Sequence, residues 1–163
     1  MPKLDESPDD AIPEDRIGPK VEDGVLGNLI GYGLKRAYMR IHPEAQRVLA
    51  EDDLRVVSFS CLSMIVDNPG IAQTELAAAL QMERSNLVVI IDALEERELI
   101  ERRKVPTDRR RFALTATLRG RHLRDRAAER VRLAEEAALD RLDDDDRARL
   151  IAVLERLLGA GAR

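Results

Sequence analysis

The sequence is poor in most of the residues from which chemical sites are built. It has one cysteine, two histidines, no tryptophan and 2% aromatic residues in a chain of 163. A lone cysteine excludes an internal disulfide, so a reducing cytoplasm is the expected setting. His42 and His122 stand far apart, and neither has metal-ligand spacing to Cys61. There is no nucleophile motif, no glycine-rich phosphate loop and no isolated acid pair in apolar surroundings. Neither enzymatic activity nor a cofactor nor a metal is expected, and the "DDDD" run at 143–146 is most economically a helix start. No apolar run approaches the ~18–20 residues of a membrane span, and the first residues lack the apolar stretch of a signal peptide.

What is present is charge, unevenly placed, on an aliphatic background. The chain is 44% hydrophobic and 36% charged, with net charge −4. Residues 1–24 hold eight acids against three bases, with four prolines and no apolar periodicity, and read as a disordered acidic arm that could instead order on a partner subunit. Residues 100–126 hold ten bases against three acids. Local charge, not the total, decides what binds where.

From residue 25 to 160 the pattern is that of one mainly α domain. Leu26, Ile30, Leu34, Ala37 and Ile41 make a helical stripe that Pro43 is expected to end. A second helix follows "EDD" at 51–53 and runs to the turn signal "DNPG". A short helix, "QTELAAALQM", and a longer one, "SNLVVIIDALEEREL", then follow each other with room for only an abrupt turn, the outline of a helix-turn-helix. Leu87, Ile90, Ile91 and Leu94 are the expected buried side of the longer helix. "LIERRKV" and "RRFALTA" read as a β-hairpin around "PTD", which completes a winged helix over about residues 53–116. Two further helices fill about 117–158. With the helix at about 25–45 they have apolar faces to spare, and a two-fold homodimer is the natural cover.

Six cations lie within ten residues, 102–111. On an arbitrary surface such a cluster is usually only solvated. Following a helix-turn-helix, it reads as a hairpin that reaches along DNA while the preceding helix enters the major groove. Tyr32, Arg36 and Arg40, with Lys35 beside them, form a second stripe on the first helix. It is either a solvated face or an anion subsite for an aromatic carboxylate or the phosphates of a coenzyme A thioester. Ser58, Cys61 and Met64 on the second helix could line an opposing wall. Cys61 itself reads as a core residue, with a redox-sensing thiol as the alternative.

The segments "NPGIAQTELAAAL", "DALEERELIERR" and "PTDRRRFALTATLRGR", in that order, resemble the MarR family of winged-helix transcription regulators. The resemblance covers about residues 26–158. It implies an obligate dimer with interlocking first and last helices, wings that straddle a palindromic operator, and a small-molecule pocket where the dimerisation helices meet the DNA-binding lobe. It also implies that Asp108 braces the wing while Arg109 or Arg110, with Arg111 beside them, reaches the minor groove. Arg84, Ser85 and Asn86 would open the recognition helix, with Asn86 suited to adenine. Gln73 and Thr74 would anchor the DNA backbone. Two departures stand out. Val88-Val89 replaces a common Thr-Arg, so base reading is expected either to shift toward the helix start or to use Val89 against a thymine methyl, and Glu98 stands where glycine often ends the helix. The expected function is a ligand-released repressor of aromatic-compound catabolism. A redox repressor using Cys61, or a winged helix that binds protein, are the alternatives.

Overall fold

The computed structural model describes residues 23–105 and 108–159, with the side chains of 104–111 outside that description. Of the acidic arm, only Asp23 and Gly24 fall within it. The chain divides into two units, one ending at Arg36 and one starting at Ala37.

In the first unit a 3-10 turn, Leu26–Asn28, is anchored by the amide of Leu26 donating to the Asp23 carbonyl at 2.8 Å. Helix α1 follows, Ile30–Ala50, and it contains Pro43. The expected stop at Pro43 is therefore corrected. Proline inside a helix costs about 3 kcal/mol, whereas burying a Val or Leu side chain returns about 1.5–3 kcal/mol each. Ala45, Val48 and Leu49 are all buried on the turns after Pro43, and their packing carries the helix through.

The helix then ends abruptly. Asp53 takes a left-handed backbone, φ +52°, and Leu54 drops into the core. Helix α2, Val56–Asp67, starts a few residues later than the acidic triplet suggested. After the turn at Gly70 (φ +91°) come β1 (Ile71–Ala72), α3 (Gln73–Ala79) and α4 (Arg84–Glu96). The hairpin is β2 (Ile100–Val105) and β3 (Asp108–Ala116), followed by α5 (Leu118–Ala138) and α6 (Asp144–Leu157). The sheet is antiparallel in the order β1-β3-β2, with Ile71 and Arg102 both opposite Leu114. Strand β1 was not foreseen, because two residues cannot display a period of two.

The core sits where α2, α3, α4, β3 and the first turns of α5 meet. Cys61, Leu62, Ile65, Leu76, Leu87, Ile91, Leu94 and Leu114 are essentially inaccessible, and Leu123 and Ala127 close it from α5. Ile90, expected with its neighbours, is partly buried. No charged or polar residue is buried among the described residues.

The junction between α4, the sheet and α5 is tight. Thr117 caps α5: its hydroxyl accepts from the Gly120 amide at 3.0 Å and donates to the Glu98 carbonyl at 2.8 Å. Gly120 packs so closely that a Cβ there would lie 2.0 Å from the Leu99 carbonyl oxygen. No side chain larger than hydrogen fits. At the other end, the acidic run starts α6, with the Asp143 carboxylate accepting from the Asp146 amide at 2.8 Å. Helix α6 has no buried residue. Among the described residues, no helix is long and apolar enough to cross a membrane.

Candidate nucleic-acid interface

Helix α3 is set by the Glu75 carboxylate, which accepts from the Ala72 amide at 2.8 Å and so satisfies a donor that the helix leaves open. Thr74 is exposed, while Gln73 is half-buried with its amide nitrogen enclosed and unpaired among the described residues. Helix α4 is amphipathic for a plain reason. Leu87, Ile91 and Leu94 recur at steps of four and three and face the core, which leaves Arg84, Ser85, Asn86 and Val89 on the open side. All four are exposed, and Val89 is 68% accessible. Arg84 has no ion-pair partner among the described residues, so its charge is free for an external anion.

Of the six cations of the hairpin, Arg102 and Arg103 have described side chains. Arg102 on β2 is ion-paired with Asp92 and, at 3.4 Å, with Glu95, both on α4. It fastens the hairpin to α4. Arg103 pairs with Glu101 at 2.9 Å. Asp108, Arg109, Arg110 and Arg111 fall on β3, but their side chains, like that of Lys104, lie outside the described residues.

The residues expected to hold an effector fall in both units of the chain. In the first unit, Arg36 lies over the Tyr32 ring at 5.7 Å and is ion-paired with Asp23, which also accepts from the Tyr32 hydroxyl at 3.3 Å. Lys35 lies on the same helix. In the second unit, Arg40 donates to the Ala138 carbonyl at 2.8 Å and pairs with Asp140 at 3.3 Å. Both arginines thus already hold an acid of their own chain. Met64 packs against the core, and Cys61 lies within it, fully buried. Burial pushes the Cys61 thiol up to about 11, the reverse of what a reactive thiolate needs. Neither a ligand contact nor a redox role for Cys61 fits that position.

Ser58 does line a cleft. An opening of about 570 Å³ lies between α2 and α4, with Leu54, Val57, Ile90, Ala93 and Leu94 as its apolar wall and Arg55, Ser58, Asn86, Val89 and Arg97 around it. Arg97 caps the end of α4 and reaches back to the α1–α2 turn, donating to the Asp53 carbonyl at 2.6 Å and the Asp52 carbonyl at 2.8 Å. Arg97 also lines a second cleft of about 550 Å³. Sequence reasoning missed Arg55, Arg97 and this second cleft, because their neighbours come from segments far apart in the chain.

A short helix, a tight turn, a second helix with an open polar start and a cation-rich hairpin define a winged helix-turn-helix regulator. Comparison with known proteins agrees. The MarR family model matches residues 54–112. The putative transcriptional regulatory protein for the hcr operon of Thauera aromatica is 32% identical over 82% of this chain and 81% of that protein. The repressor CouR bound to a 23-mer DNA duplex superposes with a TM-score of 0.79 and 36% identity, over 85% of this chain and 99% of that one. CouR from Rhodococcus jostii RHA1 has also been seen with p-coumaroyl-CoA (TM-score 0.72, 32% identity, 81% of this chain and 93% of that one). The Mycobacterium tuberculosis protein Rv2887 in complex with salicylic acid gives a TM-score of 0.66 at 29% identity, over 79% of this chain and 96% of that one. The chain belongs to the MarR family, and it is a transcriptional regulator of the winged helix-turn-helix type.

Proposed function

We propose that the protein is a dimeric repressor that holds a palindromic operator and releases it when a small aromatic carboxylate or its coenzyme A thioester binds, in control of aromatic-compound catabolism. The observation that carries this reading is that the cleft between α2 and α4 is walled in part by Asn86 and Val89. The same two side chains stand on the exposed start of α4, where base edges would be read. A ligand seated there competes with DNA for them, or turns the helix that carries them. Relatives with a DNA duplex, with p-coumaroyl-CoA and with salicylic acid support both halves of the reading. Helix α6, which buries nothing in its own chain, supports the dimer.

On this reading Arg84, Ser85, Asn86 and Val89 meet bases or phosphates in the major groove, with Thr74 and Gln73 at the backbone. Arg109, Arg110 and Arg111 are assigned to the minor groove, with Asp108 as their brace. The effector is assigned to Ser58, Arg55 and the apolar wall, rather than to the Tyr32 and Arg36 stripe.

The test is fluorescence anisotropy of a labelled palindromic duplex against salt, with and without ligand. Between 50 and 200 mM salt the affinity is expected to fall on the order of 10³-fold, as for a protein with six or more phosphate contacts. Either p-coumaroyl-CoA or salicylate is expected to release the duplex at fixed salt. A flat salt dependence would remove DNA as the partner; tight binding indifferent to both ligands would remove the aromatic effector.

A further inference from the structure

The second cleft is cationic, and DNA does not account for it. It is lined by Arg97, Arg119, His122 and Arg126, with Leu99, Leu118 and Leu123 as its floor and Asp52 at its edge. The Asp52 carboxylate is only 13% exposed and is held by Arg130 at 3.0 Å and Arg126 at 3.7 Å. Its charge is thus shared with a cation outside the lining. Arg119 pairs with Glu98 at 3.4 Å, but both side chains are well exposed, and such a pair is readily exchanged for a better anion. His122 has no partner among the described residues. What the cleft offers is therefore arginine donors and the His122 imidazole beside leucine side chains.

Its Arg97 side lies at the far end of α4 from the residues assigned to the operator. The residues that face DNA stand on the first two turns of α4, while Arg97 caps the last. At 1.5 Å per residue the two ends are about 20 Å apart. The cleft does touch the effector opening, however. Arg97 lines both, and the turn that it clasps contributes Asp53 to one and Asp52 to the other. Arg97 is thus common to the two clefts.

We infer that the two clefts beside Arg97 form one bipartite site, the apolar cleft for an aryl group and the cationic cleft for the phosphates of a coenzyme A tail. The inference rests on the effector class proposed above and adds a place for each part of the ligand. Neither cleft alone is large enough for a whole aryl thioester, since pockets of ~300–1,000 Å³ hold drug-sized molecules and these two stand near the middle of that range. Arginine forks suit phosphate oxygens better than any other side chain.

The experiment is isothermal titration calorimetry of the full chain with coenzyme A, p-coumarate and p-coumaroyl-CoA, on the wild type and on Arg119→Gln/His122→Gln. Both residues are exposed, so circular dichroism is expected to show an unchanged fold. Coenzyme A is expected to bind the wild type and to weaken at least tenfold in the variant, about 1.4 kcal/mol. The affinity for p-coumarate is expected to stay the same, so the thioester loses its advantage over the free acid. Coenzyme A that fails to bind the wild type, or binds both proteins equally, overturns the phosphate subsite while leaving the aromatic effector standing. Coenzyme A binding lost in the variant, with neither p-coumarate nor the thioester preferred to it, overturns the aryl assignment and the effector class beneath it. Operator affinity is expected to match in the two proteins. A parallel loss with a shallower salt slope would mean that the cations serve DNA, and would overturn the inference.

Discussion

Glu98 takes a left-handed backbone, φ +57°, two residues past the end of α4. That conformation costs a non-glycine residue roughly 1–2 kcal/mol, and among the described residues the side chain's own ion pair is an exposed one with Arg119, worth little. The substitution Glu98→Gly is therefore expected to raise stability by about 0.5–1 kcal/mol, read as a higher Tm; a fall would mean that the exposed pair outweighs the backbone. The departure from the family's glycine was legible in the sequence. Its left-handed geometry explains why glycine is common there. Cys61 makes the opposite case. Its neighbours Ser60 and Leu62 supply no cation, which favoured a core residue over a sensor, but only the fold shows its full burial. With the thiol pushed up to about 11, iodoacetamide at pH 8 is expected to label the native protein only as fast as it unfolds. Labelling of the native protein at the rate of a free thiol would restore the redox reading.

Among the elements, α4 was the most legible and α1 the least. The apolar side chains of α4 recur at helical spacing and its two flanks are turns, so pattern and packing agree. In α1 a local rule, proline as a stop, competes with burial two turns later, and burial wins. The two-residue β1 and the clefts were not legible at all, since their geometry joins Asp52, Arg97 and Arg119 from three separate segments. The link between elements is the clasp of Arg97 on the α1–α2 turn. Hydrogen bonds from a charged donor are worth about 1.5–3 kcal/mol when enclosed, and less at this half-buried side chain. Accordingly, Arg97→Gln is expected to cost about 1–2 kcal/mol of stability and to speed hydrogen exchange at the amides of 94–99. Unchanged exchange there would mean that α4 is held by its apolar face alone.

For the whole molecule the decisive feature is α6. Leu150, Ile151, Val153 and Leu157 are all accessible, and Ile151 is 59% exposed. A fourteen-residue amphipathic helix with no fully buried residue is poorly stabilised alone in water, since most helical stability in proteins comes from packing. The proposed dimer supplies the cover. Ile151→Asp places a charge on that face and is expected to shift the protein from dimer to monomer in sedimentation velocity, with operator affinity lost in step. A dimer that survives the charge would put the interface elsewhere. The surplus of apolar faces was readable from the spacing alone, whereas the division of charge between hairpin, clefts and acidic helix start needed the fold.

The position of α6 in the chain also orders events in time. Every residue of the core, from Leu49 to Ala127, precedes it. During synthesis the lobe that grips DNA is therefore complete before the helix that needs a partner has emerged, and domains fold as they appear. A newly made chain passes through a stage in which its core is settled and its pairing helix is absent. Subunit joining is then a separate, slower step set by how many finished chains are nearby. The cell's supply of working repressor follows the square of chain concentration at low expression, a threshold written into the order of the sequence.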